Sequence, residues 1–199
     1  TSKIAQANDL FKIKTFGFRG EALASIAAIS QVHMYTKQKD ADLGTHILIE
    51  ASEVKVQEMC SCKEGTSIEV RNLFFNVPAR RNFLKSTSVE TKHVIEEFQR
   101  VALANPEVAF DLVNNGNQVY QLPKTSLEQR IQDVLGNKKE GELIQVNEAT
   151  DLISISGFVG SPNIAKRTRG DQFLFVNGRF IRHAYFNHAI AGAYVERAP

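Results

Sequence analysis

Four short runs in the first third of the chain alternate between apolar and polar residues. They cover residues 32–37, 45–51, 54–60 and 66–74. Alternation with a period of two is typical of strands that bury one face, and turn residues such as those in KQKDADLG and CKEG separate these runs. We therefore predict an antiparallel meander of strands, which limits this region to a fold built around a sheet.

One helix is predicted before these strands in the sequence and another after them. Residues 20–29 favour a helix whose inner face would carry Leu23, Ile26, Ala27 and Ser30, because these positions repeat every three to four residues. Residues 76–84 interrupt the strand pattern. Thr87 and Glu90 then form a capping box that opens a longer helix, with Val94, Ile95, Phe98, Val101 and Ala102 at helical spacing.

Asn105-Pro106 ends that helix, and we place a domain boundary there. The second part begins with a hairpin that turns at Asn115-Gly116, followed by a helix that Thr125 and Glu128 cap and Gly136 closes. A polar loop, a strand over 151–160, a loop over 161–171, a hairpin turning at Asn177-Gly178 and a final helix over 183–197 complete the chain. These patterns predict an α+β protein with two mixed domains, 1–105 and 106–199.

The bulk composition narrows the class of protein. A hydrophobic fraction of 43% and a net charge of +2 are ordinary for a globular protein, so a nucleic-acid surface would need local clustering of charge. No apolar run approaches the ~20 residues that span a bilayer, and no leader is recognisable, so we expect no membrane association. Cys60 and Cys62 are expected to be small apolar filler in a reducing compartment. The histidines show no metal-ligand spacing, which leaves no metal site predicted.

The stretch TFGFRGEAL raises two interpretations. Gly17, Arg19 and Gly20 could simply form the loop before an ordinary helix, with glycine tolerated as its N-cap. Alternatively, the glycines remove side chains so that main-chain N–H groups approach an anion, most often a phosphate. The spacing matches neither a P-loop nor a dinucleotide-binding motif, so the residues alone leave both interpretations open.

Several motifs together resemble one family. They are Thr1-Ser2-Lys3-Ile4, Phe16-Gly-Phe-Arg-Gly-Glu-Ala-Leu23, Gly65-Thr66, LFFNVPARRNFLK at 73–85 and FVNGRFIR at 175–182. In this order, and over nearly the whole chain, they resemble the N-terminal region of bacterial members of the MutL family of DNA mismatch repair proteins. The combination of GFRGEAL with NVPARR is highly specific.

The resemblance implies a fold and a nucleotide site. It implies part of a GHKL ATPase α/β sandwich, including the ATP lid, followed by a second domain like that of the fifth protein of the small ribosomal subunit. By this resemblance the main chain of the lid region wraps the triphosphate, and Thr66 lies beside the adenine pocket. The implied ATP-binding residues are Thr1, Ser2, Lys3, Gly17, Phe18, Arg19, Gly20, Glu21, Ala22, Leu23 and Thr66.

The resemblance also implies which parts of the ATPase machinery this chain does not carry. The family's magnesium-binding asparagine, general-base glutamate and adenine-reading aspartate belong to a segment before Thr1, and its phosphate-sensing lysine belongs to one after Pro199. ATP and Mg²⁺ are thus expected cofactors of the intact protein. Because hydrolysis needs a metal and a positioned base, we assign no catalytic residue and expect no ATP turnover from residues 1–199 alone.

A basic cluster predicts a second activity. Lys166, Arg167, Arg169, Arg179 and Arg182 fall within 17 residues, a window in which Asp171 is the one acidic residue. Such a cluster binds phosphates without reading sequence, or it is merely a solvated basic face. The resemblance favours DNA and matches Arg179 to an arginine of the family's DNA groove. Arg80 and Arg81 either bind DNA or fix their proline-containing loop.

The resemblance implies partners and a location as well. We expect DNA, a homodimer that forms on ATP binding, a mismatch-recognition protein and a downstream repair nuclease or helicase, in the cytoplasm and at the nucleoid. One alternative is a non-catalytic module that binds DNA and dimerises. Another, a topoisomerase-type GHKL subunit, is disfavoured because GFRGEAL differs from the glycine pattern of topoisomerase lids.

Overall fold

The computed structural model describes Gln6, Gly17 and residues 19–136, 142–164 and 171–195. Contacts divide the chain into two compact units, Thr1–Glu90 and Thr91–Pro199. The helices are α1 (Ala22–Ala27), α2 (Pro78–Arg81), α3 (Thr87–Ala104), α4 (Leu127–Leu135) and α5 (Ala184–Val195). The strands are β1 (Gln31–Lys37), β2 (Gly44–Glu50), β3 (Glu53–Cys60), β4 (Gly65–Arg71), β5 (Phe110–Asn114), β6 (Asn117–Leu122), β7 (Leu143–Ala149), β8 (Ser154–Gly160), β9 (Leu174–Val176) and β10 (Arg179–Ile181).

A four-stranded antiparallel sheet in the order β3-β2-β1-β4 forms the first unit. Val32 of β1 pairs with Ile49 of β2 on one side and with Val70 of β4 on the other. The four predicted strands are confirmed, but the predicted meander is wrong for β4, which returns past β2 and β3 to pair with β1. Alternation reveals that a segment is a strand and does not reveal its neighbour.

The described core of the first unit is small. Val32, Ala27 and Ser30 are buried, and the Ser30 hydroxyl donates a 2.6 Å hydrogen bond to the Ile26 carbonyl. The predicted inner face of the first helix is therefore confirmed at Ala27 and Ser30. It is wrong at Leu23, which is 43% exposed, because α1 is only six residues long and Leu23 lies in its first turn.

The core of the second unit gathers four buried apolar residues from three segments. Ala102 and Leu103 lie on α3, Leu122 on β6 and Val134 on α4. The sequence-based boundary at residue 105 follows α3, whereas the contacts divide the chain after Glu90 because the C-terminal half of α3 belongs to this core. The domain ranges of the sequence analysis remain a prediction.

Arg130 of α4 is a fully buried cation in this core, with a relative exposure of 0%. Its Nη2 lies 3.2, 2.9 and 2.6 Å from the carbonyl oxygens of Pro106, Val108 and Pro123, and its Nη1 lies 3.4 Å from that of Ala102. Carbonyl oxygens from the end of α3, the approach to β5 and the end of β6 thus surround one guanidinium group. Their partial negative charges stabilise the buried positive charge.

Both capping boxes differ from the prediction. Ser126, not Thr125, is the N-cap of α4, and its hydroxyl accepts a 3.3 Å hydrogen bond from the Gln129 amide. At α3 the Glu90 carboxylate accepts a 2.9 Å hydrogen bond from the Lys85 amide, so it reaches two residues further back than a box opened by Thr87 requires. Serine caps as well as threonine, and the neighbouring hydroxyls explain the shift.

Three hairpins complete the second unit. The predicted turns are confirmed: Asn115 and Gly116 have φ of 50° and 79°, and Asn177 and Gly178 have φ of 50° and 75°, values that asparagine and glycine tolerate. Strand β7 was missed, because its sequence LIQVNEA resembled a polar loop. It pairs with β8 from Leu143↔Gly160 to Ala149↔Ser154. No helix within the described ranges is long and apolar enough to cross a membrane.

Candidate nucleotide and DNA sites

The glycine-containing loop leads directly into α1 without a side-chain cap. Gly20 has φ of 71°, and Glu21, the residue before the helix, has φ of −104° and makes no side-chain capping hydrogen bond. Among the described residues, a Cβ atom placed on Gly17 would meet nothing within 4 Å. Gly17, Gly20 and Glu21 are all exposed.

Only part of the predicted ATP site falls within the described residues. Thr1, Ser2, Lys3 and Phe18 lie outside them, whereas Gly17 and residues 19–23 lie inside. Thr66 lies near the start of β4, where its hydroxyl oxygen is 2.9 Å from that of Thr36. It lines a cavity of about 260 Å³ together with Tyr35 and Cys62.

The two cysteines are free thiols. Cys60 ends β3 and Cys62 follows in the loop. Burial raises the pKa of the Cys60 thiol, and the neighbouring Cys62 thiol raises that pKa further. A raised pKa reduces the thiolate fraction, which agrees with apolar filler rather than a reactive pair.

The β9–β10 hairpin carries two of the predicted DNA-binding arginines. Arg179 is the first residue of β10, directly after the Asn177-Gly178 turn, and pairs with Val176. Arg182 follows β10 and is exposed, with its guanidinium carbon 6.0 Å from the centroid of the Phe180 ring. Lys166, Arg167 and Arg169 lie outside the described residues.

An aromatic cluster fixes this hairpin on α3. The Phe180 ring lies 5.9 Å from Phe175 and 6.2 Å from Phe173, centroid to centroid. The guanidinium carbon of Arg100, on α3, is 4.4 Å from the Phe180 centroid, and this side chain is only 12% exposed. Sequence analysis missed Arg100, because a single arginine in an amphipathic helix carries no sign that it covers a ring.

Arg80 and Arg81 lie on the short helix α2 of the first unit. Pro78 occupies the first helical position, where its missing N–H costs no hydrogen bond. Both arginines are exposed, and Phe83, two residues after Arg81, is 82% exposed. These side chains therefore face solvent, and the choice between DNA contact and a structural role remains a prediction.

Comparisons with known proteins agree on one family. The family described as "DNA mismatch repair protein, C-terminal domain" matches residues 131–199. The chain is 55% identical over 194 residues to the DNA mismatch repair protein MutL of Christiangramia forsetii, covering 98% of this chain and 31% of that protein. It is 47% identical over 199 residues to the MutL of Bacteroides fragilis, covering 100% of this chain and 32% of that protein.

Comparison with solved structures indicates the same family. The solved structure "Aquifex aeolicus MutL ATPase domain complexed with ADP" is 29% identical, with a TM-score of 0.74 over 94% of this chain and 70% of that one. The fold is thus that of a GHKL-type ATPase region followed by a domain of the ribosomal-protein type predicted above. The chain belongs to the MutL family of DNA mismatch repair proteins. It spans about a third of the length of the curated relatives it matches.

Proposed function

We propose that this chain is the part of a mismatch-repair switch that holds the triphosphate of ATP and binds DNA. In this proposal ATP binding joins two copies of the full-length protein, which then signals from a mismatch-recognition protein to a downstream nuclease or helicase. The observation that carries the proposal is the uncapped, exposed loop of GFRGEAL, in a chain similar to a MutL ATPase domain that was solved with ADP.

The local geometry supports a phosphate at this loop. An anion is stabilised where several main-chain N–H groups converge without competing side chains. Gly20 has the left-handed backbone that glycine favours, and a Cβ atom on Gly17 would meet no described atom within 4 Å. The Glu21 side chain does not cap the helix, so the first amides of α1 have no side-chain acceptor at that position.

The ATP assignment is tested by a crystal of the full-length protein grown with a non-hydrolysable ATP analogue. We expect β- or γ-phosphate oxygens within hydrogen-bonding distance of main-chain nitrogens between Gly17 and Leu23. In solution, Gly17→Val should weaken ATP binding by about tenfold, because its new side chain occupies the open space beside the loop. Gly192→Val, also with open space around the new Cβ, is the matched control. A triphosphate bound elsewhere would refute the assignment.

DNA binding is proposed for the β9–β10 hairpin. Arg179 is the first residue of β10 and Arg182 directly follows this strand, so two arginines lie within four residues at this hairpin. Contacts of arginine with phosphate give affinity without sequence specificity. They weaken at higher salt concentration, because the release of counterions from DNA then gains less entropy. Lys166, Arg167 and Arg169 would extend this surface.

Charge reversal tests the DNA surface directly. Arg179→Glu and Arg182→Glu should each weaken binding of duplex DNA at low salt by roughly tenfold and reduce the salt slope by about one. Filter retention or fluorescence anisotropy across a salt series measures both. The matched control is Lys55→Glu on β3, an exposed lysine of the other unit. DNA affinity unchanged by either hairpin variant, with the fold intact, would remove the hairpin from the DNA surface.

The two tests together distinguish the mismatch-repair switch from the alternative function. Retained DNA binding without any nucleotide at the glycine loop would indicate a non-catalytic module that binds DNA and dimerises. Weaker ATP binding in Gly17→Val, together with weaker DNA binding in Arg179→Glu, is the outcome expected of the mismatch-repair switch.

A further inference from the structure

Two histidines on neighbouring strands of the four-stranded sheet lie in direct contact. His33 is on β1 and His46 is on β2, 13 residues apart in sequence. In the register of the sheet, His46 pairs with Tyr35 and His33 pairs with Leu48, so the two histidines are diagonal neighbours on one face. Sequence spacing gives no sign of this pair, because the register alone brings the residues together.

The ring nitrogens of the pair face one another. His33 Nδ1 is 3.2 Å from His46 Nε2, with the ring centroids 5.4 Å apart and the ring planes within 6°. Two nitrogens that bind one tetrahedral Zn²⁺ at about 2.0–2.1 Å lie roughly 3.3 Å apart. The observed separation therefore nearly equals the spacing that a metal ion would need. Because the two nitrogens are hydrogen-bonded to each other, both rings must turn before they point at one ion.

Neighbouring side chains hold His46 in the protonation state that a metal ligand requires. Glu58 Oε1 on β3 is 3.1 Å from His46 Nδ1, and because a carboxylate can only accept, Nδ1 carries the proton. In this tautomer His46 Nε2 accepts the hydrogen bond that His33 Nδ1 donates. A cation that binds both nitrogens takes the place of that proton, and His33 then carries its own proton on Nε2. The Tyr35 ring stacks on His46 with centroids 4.4 Å apart, and the His46 side chain is only 13% exposed, so its orientation is fixed. Carboxylates orient metal-binding histidines in this way.

We propose that His33 and His46 form a binding site for a divalent transition metal ion of the Zn²⁺, Ni²⁺ and Cu²⁺ class, with Glu58 as the positioning residue. Imidazole nitrogens favour these ions over Mg²⁺ and Ca²⁺, which prefer oxygen ligands. Within the described residues no three histidine, cysteine or acidic side chains are already grouped around one point. Water therefore completes the coordination. Glu69 of β4 is paired with His33 in the register of the sheet, and its carboxylate accepts a hydrogen bond from Arg71. The site bridges β1 and β2 and does not depend on the proposed function.

The test is titration of the chain with Ni²⁺, followed by calorimetry, in a Cys60→Ser/Cys62→Ser background that removes competing thiols. We expect one ion per chain, and roughly tenfold or greater loss of affinity in His33→Asn and in His46→Asn. Glu58→Gln should weaken binding by about tenfold, because it removes the group that orients His46. The matched control is His93→Asn, an exposed histidine on α3, which should bind Ni²⁺ as the background does.

A second readout keeps the proposal falsifiable if a variant loses stability. In nuclear magnetic resonance spectra, Cu²⁺ should broaden the imidazole signals of His33 and His46 first, and those of His93 and His188 only at higher concentration. The proposal is overturned if the background protein binds Ni²⁺ no more tightly than the His33→Asn/His46→Asn double variant. It is equally overturned if Cu²⁺ broadens all the histidine signals together.

Discussion

Arg130→Met is expected to lower the free energy of unfolding of the second unit by about 3 kcal/mol. Methionine fills much of the same volume but donates no hydrogen bond. The carbonyl groups of Val108 and Pro123, which accept hydrogen bonds from Nη2 at 2.9 and 2.6 Å, would then face an apolar side chain. Removing the buried charge itself offsets part of this cost, because a guanidinium group is expensive to transfer out of water.

Urea denaturation followed by circular dichroism measures the change. Arg80→Met is the matched control, since Arg80 is exposed on α2 and the same substitution there should change stability by less than about 0.5 kcal/mol. Arg130→Lys should behave like the methionine variant, because a single ammonium group cannot span the carbonyl oxygens that the guanidinium reaches. Equal stability of Arg130→Met and the wild-type protein would show that the buried hydrogen bonds contribute no net stability.

Gly44→Ala is expected to destabilise the first unit by about 3 kcal/mol. A Cβ atom on Gly44 would lie 2.4 Å from Cys62 Sγ, 2.6 Å from the Thr36 carbonyl oxygen and 3.0 Å from Lys37 Cβ. Gly44 is the first residue of β2 and is buried, so the backbone of β1 must move to admit a methyl group. Displacing a paired central strand disturbs hydrogen bonds on both of its sides.

Two further variants isolate the cause. Gly192→Ala, where a new Cβ meets nothing within 4 Å, should leave stability unchanged or raise it slightly, because alanine favours a helix more than glycine does. Gly44→Ala/Cys62→Ala removes the sulfur but not the Thr36 carbonyl, so it should recover only part of the loss. Thermal melting of the four proteins, including wild type, provides the comparison, and full recovery in the double variant would mean that the backbone contact is unimportant.

Local patterns predicted most elements of this fold and most of the strand pairs, but not the partner of β4 and not strand β7. Turn chemistry placed both hairpins, because asparagine followed by glycine suits left-handed backbone angles at Asn115 and Asn177. The partner of β4 was wrong, because alternation in residues 65–71 is the same whichever strand lies beside it. Strand β7 was missed because Gln145, Asn147 and Glu148 weakened the apolar alternation.

The candidate functional residues also divide into those that the sequence could indicate and those that it could not. Motifs that are contiguous in sequence, such as the glycine loop and the β9–β10 hairpin, led to predicted sites through their resemblance to one family. Residues that act through distant neighbours could not, because Arg100 meets Phe180 and His33 meets His46 only after the chain folds. Arg130 carried no sequence signal either, since an arginine on an amphipathic helix is usually on its solvated side.

Arg130 also determines how the second unit opens. Its guanidinium group donates to oxygens from the end of α3, the approach to β5 and the end of β6, so separation of any one of these segments breaks a hydrogen bond to a buried cation. Fraying of a single segment therefore carries a cost. We therefore expect these segments to unfold together as one cooperative unit. Helix α3, which contacts the β9–β10 hairpin, should then stay ordered until the whole unit unfolds.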